Sequence, residues 1–486
     1  MGPMRIHAES RGLAAATLLL ALGAAAHAGT CPWNGPFTTT GNRAVLKVAS
    51  FTASGSGPVN RAALQSAIAC AKTALGNVWP GGDNRVTLQL PSHVVDLSQD
   101  VRDANGAILA NTGSIDLSNV NCPNAALPNC GTPPTATPAS SPTSNRLVLA
   151  GADDGSTEVL LSQDLDQHVA EIPGVWMRNS VGVTIRNLSF NWPRMTVSQG
   201  RVTGVNPAAA TVDIAVEAGY PGPDQIVDMH NFSDQGRYLH RFDVDVDPAT
   251  GAVLACRLHP DDFDSAGAIE PTQLAWRGDD LQQVAPGVWR LAITNFQNGP
   301  IAVGDYVGIK SKSGLNAYDV RNSALITFDT VTWHRRSRGV FGGASNGGQH
   351  GVTAVKITHS AILPDAMAGY AAPCLSTPDG GPQVGQPAFP SAGHVITNND
   401  FVSPGDDALA FFDASDATVA NNTIVDAFSN RGVLFRFSAA TTVATPPTQG
   451  GSGFSVCSPG NALARDVYYW FTGDAPATTQ QRIACP

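Results

Sequence analysis

The clearest structural signal in the chain is the segment Val183-Thr184-Ile185-Arg186-Asn187-Leu188-Ser189-Phe190. Apolar and polar residues alternate, a polar residue follows at a turn, and another apolar residue closes the segment. The same pattern returns at 326–333, 355–362, 394–401 and 417–424. Because alternation turns apolar side chains to one face of a strand, each copy predicts a strand of a common core. Such repetition predicts an all-β fold, a right-handed parallel β-helix.

One column of the repeat is polar throughout. It contains Asn187, Thr330, His359, Asn398 and Asn421, one residue from each copy. Stacked coils place such side chains one above another, where amide groups can form a hydrogen-bonded ladder. We therefore expect this column to bond from coil to coil.

The composition narrows the class of protein. The chain has 486 residues, of which only 14% are charged, together with 49 Gly and 34 Pro. This mixture is typical of an all-β protein with many turns. A formal net charge of -10 argues against nucleic acid as a partner, because phosphate binding needs a basic face.

The first 28 residues have the features of an export signal. Arg5 and Arg11 are basic, residues 13–26 are apolar, and small residues surround a cleavage point near Ala28. The apolar run is too short for a membrane span, and no later stretch is long and apolar enough for one. The sequence therefore predicts a secreted or periplasmic mature chain.

Eight cysteines follow this segment, and none forms a CxxC motif. In an oxidising compartment this usage favours disulfide bonds over a metal site. Local pairs such as Cys122–Cys130 and Cys457–Cys485 are plausible, but the sequence leaves the connectivity open.

Helical spacing near the N-terminus predicts a single amphipathic helix. Leu64, Ile68 and Leu75 share one face, Asn60 can cap the start and Gly76 the end. Such a helix can cover the core that the first coil of a solenoid exposes.

Residues 194–312 break the repeat and contain alternating strands and a hairpin signal, which together predict a small inserted β-barrel. The expected organisation is a signal peptide at 1–28, β-helix at 29–193, the inserted barrel at 194–312, β-helix carrying the active site at 313–440, and a C-terminal extension at 441–486.

The strongest chemical signal is the block Gly405-Asp406-Asp407-Ala408, with Asp379 lying 27 residues upstream in a Pro-Asp-Gly turn. If one coil separates the two blocks, the three carboxylates share one surface patch. An inverting glycosidase needs such a set: one acid protonates the leaving oxygen and a carboxylate activates water. We expect Asp379 to be the general acid, with Asp406 and Asp407 holding the water.

Known families share parts of this pattern. The stretch 51–68 followed by Leu88-x-Leu90-Pro91 resembles the N-terminal part of the pectate-lyase-like superfamily. The Ser-Thr-Pro-Asp379-Gly and Gly-Asp406-Asp407-Ala-Leu-Ala blocks resemble those of glycoside hydrolase family 28, the polygalacturonases. They are more similar to family 110, the α-galactosidases, and this resemblance implies that the three aspartates are catalytic. The Gly-His-Gly and Arg-x-Lys elements of polygalacturonases are missing, which argues against uronic acids as substrates.

Other side chains are candidates for binding a carbohydrate substrate. His334 and Arg335 follow a strand of the repeat, His350 and Arg431 lie on neighbouring coils, and Gln383 occupies the place of a His in related enzymes. No metal, nucleotide or redox cofactor is implied. The sequence indicates nothing about the oligomeric state.

Two other functions remain open. A polysaccharide lyase or epimerase needs a basic residue to abstract a proton, and no Lys is expected near the aspartates. A non-catalytic carbohydrate-binding protein would retain the fold without the chemistry. The Asp406-Asp407 pair itself could also be a plain turn or a calcium site.

Overall fold

The structure of the protein, a computed structural model, describes most of the chain between residues 30 and 425 and several later strands. The described residues are 30–55, 57–76, 83–98, 109, 112–122, 145–161, 173–229, 237–259, 274–294, 296, 301–311, 316–335, 340–341, 351–365, 371–385, 391–412, 414–415, 417–425, 433–438, 454–455, 462–463, 467–472 and 479–483. The predicted signal peptide lies outside them.

A long parallel sheet, called here the first parallel sheet, forms one side of the molecule. Its main row consists of Arg43–Lys47, Arg85–Gln89, Arg146–Ala150, Val181–Asn191, Ser323–Trp333, Val352–Thr358, Val395–Thr397, Ala417–Ala420 and Phe454–Ser455. Shorter strands extend several of these after a bend: Val94–Asp96, Glu158–Leu160, Ala361–Ile362, Asp400–Val402, Thr423–Val425 and Ala462–Leu463.

A second parallel sheet takes its strands from the intervals between those of the first. It consists of Ile115–Asp116, Val175–Arg178, Tyr318–Arg321, Val340–Phe341, Gln383–Gly385, Leu409–Phe412, Val433–Ser438 and Val467–Thr472, with Thr479–Ile483 added antiparallel at its end. From Ile115 onward the chain visits the two sheets in turn, so each turn of chain adds a strand to both. A further short pair joins Ser391–Ala392 to Ala414–Ser415.

The pairing register confirms the repeat found in the sequence. Ile326 pairs with Val183, and Trp333 pairs with Phe190. The next copies continue the same register. The inward residues form one apolar cluster that runs from the N-terminal helix to Ile424, as parallel sheets buried on their inner faces require. The expected all-β class is confirmed.

The polar column has a different role from the expected one. Asn187, Thr330, His359, Asn398 and Asn421 all have positive φ, between 49° and 59°. A left-handed residue is the bend between two strands, and Asn adopts that conformation more readily than most residues.

The ladder is formed one position later. Asn399 and Asn422 are both 1% exposed. The amide of Asn399 donates to the Asn422 carbonyl oxygen (2.9 Å), and the backbone N–H of Ser360 donates to Asn399 (2.9 Å). The expectation for the column was therefore wrong by one residue, because the left-handed bend turns the next side chain inward.

The predicted helix is present at Arg61–Leu75. Asn60 accepts a hydrogen bond from the N–H of Ala63, and Gly76 ends the helix at φ 73°. Its buried face belongs to the main core cluster. A short 3-10 helix, Val48–Phe51, precedes it, and the helix Pro223–Met229 lies between two strands of the inserted region.

The inserted region forms an antiparallel sheet of eight strands. Its strands are Ser198–Asn206, Thr211–Val216, Arg237–Val246, Val253–Leu258, Leu274–Ala275, Gln282–Ala285, Val288–Ala292 and Tyr306–Ser311. Pairing runs from Val253–Leu258 at one end to Gln282–Ala285 at the other. The sheet has an apolar cluster of its own, centred on Trp276 and Leu291.

The C-terminal region differs from the extension expected at 441–486. Phe454–Ser455 and Ala462–Leu463 continue the first parallel sheet, and Val467–Thr472 continues the second. The irregular sequence concealed these strands because Gly, Pro and Thr obscure the alternation.

Disulfide bonds join Cys31 to Cys70 and Cys256 to Cys374. Cys122 is also disulfide-bonded. The suggested partner of Cys122, Cys130, and the pair Cys457–Cys485 lie outside the described residues.

Candidate functional site

Two segments that carry the predicted acids lie side by side on successive turns of the chain. The N–H of Ser376 donates to the carbonyl of Ser403 (2.9 Å), and Gln383 pairs with Ala410 in the second parallel sheet. The sequence offset is 27 residues at Ser376 and is the same at Gln383. The two segments therefore lie side by side from Ser376 to Gly385.

Between these two contacts, the residues that carry the acids are hydrogen-bonded neighbours. The N–H of Gly405 donates to the carbonyl of Asp379 (2.9 Å), and the N–H of Gly381 donates to the carbonyl of Asp407 (2.9 Å). We call residues 376–381 the first acidic turn and residues 403–408 the second acidic turn. The sequence prediction that one coil separates them is confirmed.

Glycines allow this close approach. A Cβ atom at Gly380 would lie 2.5 Å from the carbonyl oxygen of Asp407 and 3.3 Å from the Cβ of Asp406. A Cβ at Gly405 would lie 2.3 Å from the carbonyl oxygen of Thr377. Any other residue at either position would push the acidic turns apart.

The acids do not form the exposed patch that the sequence suggested. Asp379 is 0% exposed and Asp407 is 9% exposed, whereas Asp406 is partly exposed. One oxygen of Asp379, Oδ1, accepts a hydrogen bond from the N–H of Gly380 (3.0 Å). The expectation of a surface patch was wrong, because two of the three acids are buried in the folded chain.

The antiparallel sheet is attached to the chain directly before the first acidic turn. The disulfide between Cys256 and Cys374 joins one of its strands to the chain just before the first acidic turn. Leu375 packs in an apolar cluster with Phe242 and Tyr306 of the same sheet. A covalent bond and an apolar contact thus hold the first acidic turn against the insertion.

Hydrogen bonds strengthen this attachment. Gln199 donates to the carbonyl of Ala372 (2.9 Å) and accepts from the N–H of Cys374 (2.8 Å). The hydroxyl of Tyr220 donates to the carbonyl of Ala371 (2.9 Å). Residues 371–376, called here the tether, are therefore fixed to the antiparallel sheet along their length.

Lys310 connects the antiparallel sheet to the second acidic turn. Its side chain is 1% exposed, and its ammonium donates to the carbonyl oxygen of Gly405. The same ammonium lies 5.3 Å from the centre of the Tyr238 ring, an arrangement that favours a cation. Burial is the main cause that lowers the pKa of nearby His240 well below its usual range, and Lys310 adds to it.

The position of Lys310 contradicts the expectation that no Lys lies near the aspartates. Lys310 is the next-to-last residue of the strand Tyr306–Ser311, in which every residue is buried. A Lys in so apolar a strand is an available signal, since Lys is rarely buried without a partner. The partner could not be predicted, because it lies 95 residues away.

Arg335 is engaged in the packing of the coil. Its guanidinium donates to the carbonyl of Trp192 (2.9 Å) and to the carboxylate of Asp365 (2.5 Å), and its side chain is 9% exposed. Its backbone N–H donates to the carbonyl of Ser376 (3.0 Å). Arg335 therefore supports the first acidic turn from the neighbouring coil.

The other predicted binding residues have separate positions. Nδ1 of His334 lies 3.2 Å from the carbonyl oxygen of Leu363. Gln383 is partly exposed and follows the first acidic turn by two residues. His350 and Arg431 lie outside the described residues.

Within the described part of the chain, no group of three or more His, Cys, Asp or Glu side chains could hold a metal ion. In the same part, no helix is long and apolar enough to cross a membrane.

The chain matches no protein-family model and no curated protein sequence. Among solved structures, it is similar to a glycoside hydrolase at 9% identity and a TM-score of 0.26, over 83% of this chain and 82% of the other.

Two phage proteins are also similar. The first is the tailspike gp61 of Pseudomonas phage phi297, at 11% identity and a TM-score of 0.20, over 78% of this chain and 56% of the tailspike. The second is the gp54 tailspike of Acinetobacter baumannii bacteriophage AP22, solved with A. baumannii capsular saccharide, at 7% identity and a TM-score of 0.15. That match covers 72% of this chain and 52% of the tailspike.

Proposed function

We propose that the protein is a glycoside hydrolase that cleaves a glycan with Asp379, Asp406 and Asp407. The observation that supports the proposal is the hydrogen bonding between the two acidic turns, which joins Gly405 to Asp379 and Gly381 to Asp407. Neighbouring strands of a sheet lie about 4.8 Å apart, and we propose that the three carboxyl groups act together. Glycosidases need two carboxyl groups separated by roughly 5–9.5 Å.

The roles follow from the positions of the acids. Asp379 lies on a different turn from the Asp406–Asp407 pair, so it can protonate the leaving oxygen while the pair activates water. Asp406 is the partly exposed member, and substrate would approach from its side. Because Asp379 is fully buried, contact with substrate requires displacement of the groups above it. Inversion of the anomeric centre is the expected outcome.

Lys310 supports the same reaction as a positioning residue. Its ammonium holds the Gly405 carbonyl directly before Asp406. Together with the disulfide at Cys374, this contact makes the geometry of the acids depend on the antiparallel sheet.

The proposal also includes the type of fold, the domain organisation, the family and the export of the protein. The two alternating parallel sheets support a right-handed parallel β-helix with the helix Arg61–Leu75 covering its first coil. The antiparallel strands support a separate inserted domain at 194–312, and the acidic blocks support a relationship to glycoside hydrolase family 110. The disulfide bonds support export near Ala28, because disulfides persist in oxidising compartments.

The test is a pair of isosteric substitutions. We expect Asp379→Asn and Asp406→Asn each to lower hydrolysis by about a hundredfold or more, since each removes a proton donor or acceptor. The assay uses a panel of aryl α- and β-glycosides, including the α-galactoside, with neutral and acidic polysaccharides. Proton NMR of the first-formed product reads its anomeric configuration.

Asp400→Asn is the matched control, because Asp400 is an exposed residue on a nearby strand of the first parallel sheet. It should retain full activity. Wild-type rates in both site variants would exclude the assignment, provided that thermal unfolding shows that they are folded.

Two observations favour other functions. A polysaccharide lyase needs a basic residue, and Lys310 is one that lies next to the second acidic turn, although its ammonium donates to the Gly405 carbonyl. Ultraviolet absorbance from an unsaturated uronate product would identify that reaction. The full burial of Asp379 is compatible with a non-catalytic glycan-binding protein. Binding without turnover, unchanged in Asp406→Asn, would identify that function.

A further inference from the structure

The antiparallel sheet contains a cavity of about 430 Å³ that is separate from the acidic turns. It lies where the strand Thr211–Val216 ends, beside the turn that precedes Val288–Ala292. Its volume falls in the range of roughly 300–1,000 Å³ found for small-molecule sites. The polar and aromatic side chains that line it are Glu217, Tyr220, Asp224, Gln225, Gln283 and Trp289.

Trp289 is the rigid part of this cavity. It is half-buried and paired with Ile214 on one side and Gln283 on the other. A Cβ atom at Gly222 would lie 3.0 Å from Cζ2 of the indole, so a glycine lets the chain pass directly against the ring. The neighbouring Arg290 forms a double hydrogen bond with Asp213, 2.7 Å for each contact. The ring is therefore held in one place before any ligand arrives.

The polar groups of the cavity are mainly acceptors and amides. Oδ1 of Asp224 is buried and has no hydrogen-bond partner among the described residues. Glu217 accepts a hydrogen bond from the hydroxyl of Tyr306. The side chains of Gln225 and Gln283 are exposed. A buried carboxylate oxygen without a donor is costly, and a ligand hydroxyl group would satisfy it.

The charge of the cavity selects among ligands. No basic residue is present among its described lining residues, whereas two are acidic. Phosphates, sulfates and uronic acids would be repelled. A sugar ring has apolar C–H faces that pack against the negative face of an indole, and its hydroxyl groups donate to carboxylates.

We propose that this cavity, called here the Trp289 cavity, binds an uncharged sugar unit of a glycan. The proposal depends only on the geometry of the antiparallel sheet and not on the hydrolase chemistry. The hydroxyl of Tyr220, which lines the cavity, bonds to the tether at Ala371. A glycan held here would therefore lie on the structural unit that also positions the first acidic turn.

Affinity electrophoresis in native gels tests the proposal. The probes are the neutral polysaccharides galactomannan and dextran, and the acidic polygalacturonate. The protein is the full chain carrying Asp406→Asn, so that digestion does not interfere. We expect a neutral polysaccharide to retard this protein, and polygalacturonate to leave its mobility unchanged.

Two neighbouring glutamines provide the matched variants. Gln282 and Gln283 are both exposed on the same strand, but only Gln283 lines the cavity. Gln283→Ala and Trp289→Ala should weaken retardation about tenfold, and Gln282→Ala should not change it. Trp289→Phe keeps an aromatic ring and serves as the second variant if Trp289→Ala does not fold.

Three results would overturn the proposal: no retardation by either neutral polysaccharide, equal retardation by polygalacturonate, or equal retardation of the Gln283→Ala and Gln282→Ala variants. These binding results are distinct from a failure of the hydrolase proposal, which would appear as turnover retained in Asp379→Asn and Asp406→Asn.

Discussion

Among single residues, Lys310 is the one that joins the antiparallel sheet to the acidic turns. Lys310→Met keeps the length of the side chain and removes the ammonium. The Gly405 carbonyl then loses a buried donor, at a cost of about 1–3 kcal/mol in the free energy of unfolding. We expect a lower melting temperature and a lower kcat, because the carbonyl directly before Asp406 is no longer held by the Lys310 ammonium.

Lys356→Met is the control for this substitution, since Lys356 is a partly exposed residue of the first parallel sheet. It should leave the melting temperature and kcat unchanged. If Lys310→Met behaved like Lys356→Met, Lys310 would have no positioning role.

The burial of His394 should make the free energy of unfolding depend on pH. Its ring is fully buried, and burial lowers its pKa from 6.5 to about 3. The folded state therefore keeps His394 neutral, whereas the unfolded chain binds a proton below pH 6.5. The free energy of unfolding is therefore highest, as far as His394 is concerned, above pH 6.5. It decreases as the pH falls from 6.5 towards about 3, because only the unfolded chain binds the proton.

Between pH 7 and pH 5 the loss from this residue should be about 2 kcal/mol. Urea unfolding at the two pH values measures it. His394→Gln should show a smaller loss over this interval, whereas the exposed His359→Gln should match the wild type. Equal pH dependence in all three proteins would contradict the assignment to His394.

Among the secondary-structure elements, the tether links the first acidic turn to the strand Val253–Leu258, because Cys374 is bonded to Cys256 of that strand. The double substitution Cys256→Ser, Cys374→Ser removes the bond that closes 118 residues of chain. We expect the free energy of unfolding to fall by about 2–5 kcal/mol. The kcat should fall as well, because the first acidic turn loses its covalent attachment.

The second disulfide provides the comparison. Cys31→Ser with Cys70→Ser removes the bond at the N-terminal helix, far along the chain from the acids. This pair should lower the melting temperature and leave kcat unchanged. Equal loss of kcat in both pairs would show that the bond at Cys374 affects only global stability.

The elements also show why the sequence could predict some features and not others. Alternation with a fixed turn position predicted the strands, because in this fold each residue meets the equivalent residue of the next turn. The ladder was assigned one residue early, because backbone conformation at Asn398 and Asn421 cannot be read from residue type alone. Left-handed φ at those positions moves Asn399 and Asn422 to the interior.

At the scale of the whole molecule, contacts within the coil were predictable and contacts across the insertion were not. That the two acidic turns lie on neighbouring coils was predictable, because the 27 residues between Asp379 and Asp406 are close to the length of one coil. The attachments through Cys256 and Lys310 were not predictable, because both residues belong to a sheet outside the repeat. Contacts between residues so far apart in the sequence do not produce a repeating pattern from which they could be predicted.

The contact between Lys310 and Gly405 also has a consequence for the timing of maturation. Lys310 is synthesised first, and its acceptor follows 95 residues later, after three more strands of the second parallel sheet. Domains tend to fold from the N-terminus as the chain is made. A nascent chain that stops before residue 403 thus has its scaffold and the antiparallel sheet but no assembled acid cluster, so any chemistry would begin only when synthesis is nearly complete.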